Sequence, residues 1–180
     1  MLRITIPEME YYDEATQTFI TTKQQSLSLE HSLVSIAKWE SKWEKPFLSK
    51  DRKTVEETID YIRCMTLTQN VDPNVYMAIN DDIVQQVSKY IDAPMTATWF
   101  NEDNKRSGSR EVITNEVIYY WMIALNIPSE YQKWHLNRLL TLIKVCNAKN
   151  NPPKKMSKKD VLAQNRRLNA ARKKSLNTKG

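Results

Sequence analysis

Only two of the 180 residues are glycine, Gly108 and Gly180. Glycine is the residue that reaches φ > 0 without a steric penalty and lets a backbone approach a phosphate. Its scarcity excludes the phosphate-cradling loop of P-loop proteins and the glycine fingerprint of dinucleotide-binding folds. It also favours helix, because helix interiors disfavour glycine by about 1 kcal/mol relative to alanine.

Charge divides the chain unevenly. Residues 149–180 hold eleven Lys or Arg against one acid, Asp160, for a net charge of +10, whereas the other 148 residues carry sixteen basic and twenty acidic groups, for −4. The boundary lies in NNPPKKMSKKD, where Pro152-Pro153 punctuates the change from a mildly acidic body to a basic arm. Cys64 and Cys146 stand far apart with no CxxC or Cys/His spacing, which argues against a disulfide scaffold and for a reducing compartment. MLRITIPEMEYYDE lacks an apolar run of signal-peptide length, and no window approaches the ~18 apolar residues needed to span a bilayer. A protein of the cell interior with no membrane contact is the expectation.

The period of the apolar residues changes along the chain. Leu2, Ile4 and Ile6 alternate with Arg3 and Thr5, and TQTFITTK is rich in β-branched residues. A small N-terminal β-hairpin over residues 1–25 is therefore predicted, with its turn in YYDEATQT. From Ser28, placed as a cap, Leu29, Leu33, Ile36 and Trp43 fall on one helical stripe that ends before Pro46. Thr54…Glu57 has the spacing of a capping box ahead of an apolar stripe at Val55, Ile59 and Ile62. Asp72-Pro73 predicts a short helix, NDDIVQQVSKYID another, and REVITNEVIYYWMIALN a third with Ile113, Val117, Tyr120, Trp121 and Ala124 together. NEDNKRSGSR at 101–110 is expected to be a polar loop. Ser129…Gln132 suggests a second capping box, opening a helix through SEYQKWHLNRLLTLIKVCNAK that is apolar nearly all round. A basic helix is expected to start at Ser157…Asp160. The predicted fold is mainly α: a helical core domain at 26–150, a small β-hairpin before it, and a basic helical arm at 151–180.

No constellation in this pattern carries catalytic chemistry. His31 and His135 are the only histidines, each expected on an amphipathic helix, and neither has the i, i+4 partner of a helical zinc site. Glu56-Glu57 and Asp81-Asp82 lie in first turns, where carboxylates complement the helix dipole. Asp72, Asn74, Asp81 and Asp82 lack the spacing and the glycine of an EF-hand. No catalytic, metal or cofactor residues are assigned, and the chain is expected not to be an enzyme.

Two surfaces remain as sites for partners. On the arm, Lys154, Lys155, Lys158, Lys159, Val161, Arg166, Arg167, Leu168 and Arg172 join positive charge to a thin apolar line, the pattern of a helix that docks on a protein. Nucleic acid is the less favoured partner, since the strip has no interleaved aromatics and no RNA-binding signature. In the body, Trp121, Tyr131, Trp134, Leu139 and Leu142 are expected to form a self-association face, making the protein a homo-oligomer.

LEHSLVSIAKWESKWEKPFL at 29–48, PMTATWF at 94–100 and YYWMIALNIPSEYQKWHLNRLLTLIKVCN at 119–147 resemble a group of small proteins of tailed bacteriophages, the tail assembly chaperones. The resemblance extends over most of the chain, including PPKKMSKKD. It implies a non-enzymatic assembly factor in the host cytoplasm. Such a factor would bind the helical tape measure protein, or another tail protein, during tail morphogenesis. Its alternative is a component of the virion itself: a head–tail connector, a tail terminator or a capsid-associated protein. The family has no catalytic motif to carry over onto this sequence.

Overall fold

The computed structural model describes residues 1–14, 17–100, 112–150 and 158–176. Within it the chain divides into one unit spanning Met1–Cys146 and a second spanning Asn147–Gly180.

The first unit opens with an antiparallel ribbon. Strand β1 (Leu2–Ile6) pairs with β4 (Gln25–Leu29), and β2 (Met9–Asp13) pairs with β3 (Thr18–Thr22). One register runs through both ladders, since Ile6 faces Gln25 and Met9 faces Thr22. The interruption falls at Pro7, whose ring nitrogen has no hydrogen to give to the ladder. Ile4 and Ile6 on β1 and Leu27 and Leu29 on β4 are buried, while Arg3 and Thr5 point outward. The hairpin is thus present but longer than the sequence pattern suggested. Tyr11, Tyr12 and Asp13 belong to β2 and not to a turn, and Ser28 pairs with Arg3 instead of capping a helix. The alternation in QSLSL, a period of two, outweighs the helical stripe that Leu29 also fits.

Helix α1 (Leu33–Trp43) starts four residues later, at Ser32. The Ser32 hydroxyl accepts from the Ser35 N–H, and the Ser35 hydroxyl accepts from the Ser32 N–H. Helix α2 (Val55–Met65) has the expected capping box, in which Thr54 and Glu57 exchange the same pair of bonds. Its buried face carries Tyr61, Ile62 and Met65, so of the expected stripe Ile62 is buried, Ile59 is half-buried and Val55 alone is turned outward, 77% exposed. Pro73–Ala78 is a 3₁₀ turn whose first free N–H, on Asn74, bonds to the Asp72 carboxylate. Helix α3 (Asp81–Ile91) is capped by Asn80 and buries Ile83, Val87 and Tyr90.

Helix α4 (Asn115–Ala124) is rotated from the expected stripe by about one residue. Asn115, Ile118 and Met122 are buried, whereas Tyr120 and Ile123 are 67% and 75% exposed. NEVIYYWMIA is apolar on two sides, so hydropathy alone cannot choose between them. The helix expected across 129–149 is two elements. A 3₁₀ turn covers Ser129–Lys133, and α5 (Leu136–Asn150) follows His135. No side chain caps that turn, because Gln132 instead accepts a hydrogen bond from the Tyr119 hydroxyl. Along α5 the buried residues are Leu136, Leu139 and Ile143, one stripe instead of a wholly apolar helix.

In the second unit, α6 (Lys158–Leu176) is helical, and its described side chains are all exposed. The polar stretch 101–110 and the Ser157 cap fall outside the described residues. Among those described, the fold is mainly α, and no helix is long and apolar enough to cross a membrane.

Candidate functional site

The first unit is organised around buried polar groups that the sequence pattern did not reveal as a set. His31 and His135 are not on helices: His31 precedes Ser32, the N-cap of α1, and His135 directly precedes α5, and together they close the body. Ser32 bridges to His135, and the Leu136 N–H donates to the His31 carbonyl at 2.7 Å. Their rings lie 5.1 Å apart in an edge-on arrangement. The Asn137 N–H donates to Nδ1 of His135 at 3.3 Å, which leaves Nε2 as the protonated nitrogen, donating to the Tyr90 carbonyl at 3.1 Å. His135 is thus the N-terminal cap of α5, a role for which its neutral form is required.

Burial, and secondarily the nearby His135, depress the His31 pKa to about 3. Burial also lowers that of His135. Desolvation pushes the Tyr61 phenol up, so it keeps its proton, and its oxygen shares a hydrogen bond with Nδ1 of His31 at 2.5 Å. A Ser–His–Tyr grouping invites comparison with an activated nucleophile. The Ser35 hydroxyl, however, donates to the Ser32 carbonyl at 2.8 Å, and His31 and His135 are only 2% and 6% exposed. These groups hold one another and present nothing to a substrate.

Three acidic side chains tie the helices together. Glu40 of α1 accepts from the Phe47 N–H at 2.6 Å and, through its other oxygen, from the Asn115 N–H at 2.8 Å and side-chain amide at 2.6 Å. The free N-terminus of α4 is therefore capped by a carboxylate 75 residues upstream. Asp60 of α2 accepts from Lys42 at 2.6 Å and from the Trp43 indole at 2.9 Å. Burial pushes its carboxyl up, but these donors outweigh it and hold the group below the ordinary carboxylate range. Glu57 accepts from Lys45 at 2.6 Å, and that bond, followed by its capping bonds to Thr54, depresses its pKa. Glu57 stands at the helix start expected of it, whereas Glu40, Asp60 and Asn115 carry no local signal because their partners are remote in sequence. Among the described residues no group of three His, Cys, Asp or Glu could hold a metal ion, and Cys64 and Cys146 are free thiols.

The accessible features lie on the surface. Exposed Val55 and half-buried Ile59 of α2 form the wall of a groove of about 490 Å³ with Tyr76 and Met77, edged by Lys42 and Arg63. Met77 is 66% exposed, and the Arg63 guanidinium lies over the Tyr76 ring at 4.9 Å.

The expected self-association residues are dispersed. Tyr131 and Trp134 stack at 4.1 Å, and Arg138 caps that stack 3.9 Å above Trp134. Trp121 and Leu142 are partly buried. Leu139 is fully enclosed by its own chain, which leaves it no surface to offer a second copy. On α6, Lys159, Arg166, Arg167, Leu168 and Arg172 are exposed. Lys158 and Val161 are placed there as backbone positions only, and Lys154 and Lys155 lie outside the described residues.

Comparison with family models, curated proteins and solved structures gives no match to this chain.

Proposed function

We propose that this protein is a non-enzymatic assembly chaperone that holds an amphipathic helical client. The observation that carries this reading is the groove beside α2. It is open, walled by Val55, Ile59, Tyr76 and Met77, and edged by charges of both signs. Apolar side chains flanked by Lys42, Arg63 and Glu56 suit a client helix with an apolar stripe and mixed charged flanks. An exposed methionine lets such a surface repack around different side chains, as a coating factor must. The buried histidines and carboxylates support the same reading, since their hydrogen-bonding capacity is spent on the fold.

The basic helix α6 supplies a second point of contact. From Lys158 to Leu176 it carries seven Lys or Arg and one acid, so acidic stretches of a client are its natural complement. With the resemblance to tail assembly chaperones, the client would be the tape measure protein of a tailed phage, bound in the host cytoplasm before the tail tube polymerises.

Co-expression with a tape measure protein from the same genome is the direct test. The expected result is soluble client in the presence of this protein and loss of that solubility with Val55→Asp and Met77→Asp together. Equal aggregation with and without this protein would refute the proposal. Stoichiometric recovery from purified particles by mass spectrometry would instead identify a virion component.

A further inference from the structure

On the opposite side of α2 from the client groove lies a second, smaller hollow. Thr58, Tyr61 and Ile62 face it, whereas positions 55, 56, 59, 60 and 63 face the groove. Its volume is about 150 Å³, and its apolar walls include Phe47, Tyr61, Ile62, Val87 and Ile91. The Phe47 and Tyr61 rings, 4.0 Å apart and inclined by 32°, give it an aromatic wall. An apolar cavity of about this size accepts a benzene ring.

Lys53 stands at the edge of this slot and also borders an adjoining hollow of about 280 Å³ that contains Trp39, Lys45 and Arg52. Its ammonium donates one hydrogen to the Phe47 carbonyl at 2.7 Å and lies 4.4 Å over the Phe47 ring and 5.6 Å over Trp39. An ammonium has three donors, so two are left to solvent or a ligand. Among the described residues no carboxylate reaches ion-pair distance of Lys53. The nearby Glu57 is engaged by Lys45 and Thr54, and Glu40 by Phe47 and Asn115. Asp51 and these two carboxylates oppose the effect of burial on Lys53, yet burial prevails and its pKa is lowered. A partly desolvated cation with no carboxylate at ion-pair distance is one that an incoming anion stabilises.

We propose that this slot binds a small aromatic carboxylate, its ring against Phe47 and Tyr61 and its carboxylate on Lys53. The slot's size admits one six-membered ring. The position of Lys53 at the edge calls for an acid group one or two carbons from that ring. In the adjoining hollow Asp51 and Glu57 balance Arg52 and Lys45, the latter paired with Glu57 at 2.6 Å, so Lys53 is the cation left to the ligand. The site is independent of the client groove.

The test is a titration of the isotopically labelled full chain with phenylacetate and with phenylacetamide, its neutral counterpart, followed by amide chemical shifts. Saturable shifts are expected around Ile62, Val87 and Ile91, with the acid bound about tenfold more tightly than the amide, as a charge-assisted contact requires. Lys53→Met should bring that ratio to about one, while Val84→Phe, which fills the slot, should remove both interactions. Absence of shifts at about 10 mM phenylacetate, a range that detects millimolar affinity, would overturn the proposal. Equal affinity for acid and amide would also overturn it, as would a preference that survives in Lys53→Met. If that variant does not fold, the acid-to-amide ratio of the unaltered chain still decides.

Discussion

At the residue scale, the body is held by polar side chains buried in particular ionisation states, and pH reaches them. His31 titrates near 6.5 when unfolded and at about 3 in the native state, and His135 is shifted the same way. Well above pH 6.5 both are neutral whether folded or not, and neither makes stability depend on pH. Between there and about 3 the unfolded chain binds protons that the folded chain refuses, so stability falls as pH falls. Denaturant unfolding from pH 7 to 5 should show a loss approaching about 1.4 kcal/mol per pH unit from His31, with His135 adding in the same direction. His31→Asn should flatten that slope even though it weakens the protein at neutral pH. Glu40→Gln replaces one acceptor oxygen by a donor amide facing backbone or side-chain N–H groups. A loss of about 2–3 kcal/mol in the same assay is expected, the cost of charge-assisted bonds in a buried place. None of these roles was legible in sequence. Glu40 looks like a polar position on an amphipathic helix, and only its contacts with Phe47 and Asn115 explain its burial.

At the element scale, most local signals at helix starts were legible, while Ser129…Gln132 failed because Gln132 bonds Tyr119 instead. Thr54…Glu57, Asp72-Pro73 and Asn80 all begin the elements expected of them. Signals shared with a distant element misled. On α2 only Val55 of the expected stripe turned outward, and the stripe of α4 shifted by a residue, because each helix packs against neighbours far along the chain. Thr54→Ala should cost about 1 kcal/mol, measured by thermal unfolding. The shortage of glycine also leaves a mark. Gln17, Glu44, Asn70, Met95 and Asn126 all adopt positive φ, a region that costs non-glycine residues about 1–2 kcal/mol, least for Asn. Glu44, exposed at the end of α1 with φ of 52°, is the clearest case. Glu44→Gly should raise stability by about 0.5–1 kcal/mol, the relief of strain exceeding the added freedom of the unfolded chain. A lower transition temperature would contradict that account.

At the scale of the whole molecule, the sequence's division of charge and the structure's division into units fall within a few residues of each other, at Lys149 and Asn147. Residues 151–180 contribute +9 of the chain's +6 total, so their removal leaves a chain of −3. A protein ending at Asn150 should keep the thermal transition of the first unit, no longer bind a cation exchanger at neutral pH, and lose affinity for acidic client segments. A collapsed transition would show instead that the body depends on the arm. The contact between Glu40 and Asn115 has a further consequence, for synthesis. A ribosome adding about 5–20 residues per second needs roughly 4–15 s to travel the 75 residues between them. Throughout that interval α1 exists without the helix it caps, and His31 without the segment from His135 that covers it. The unit is closed by its last arrivals, so a nascent chain halted before residue 115 exposes the surfaces that Ile118, Leu136 and Leu139 later cover.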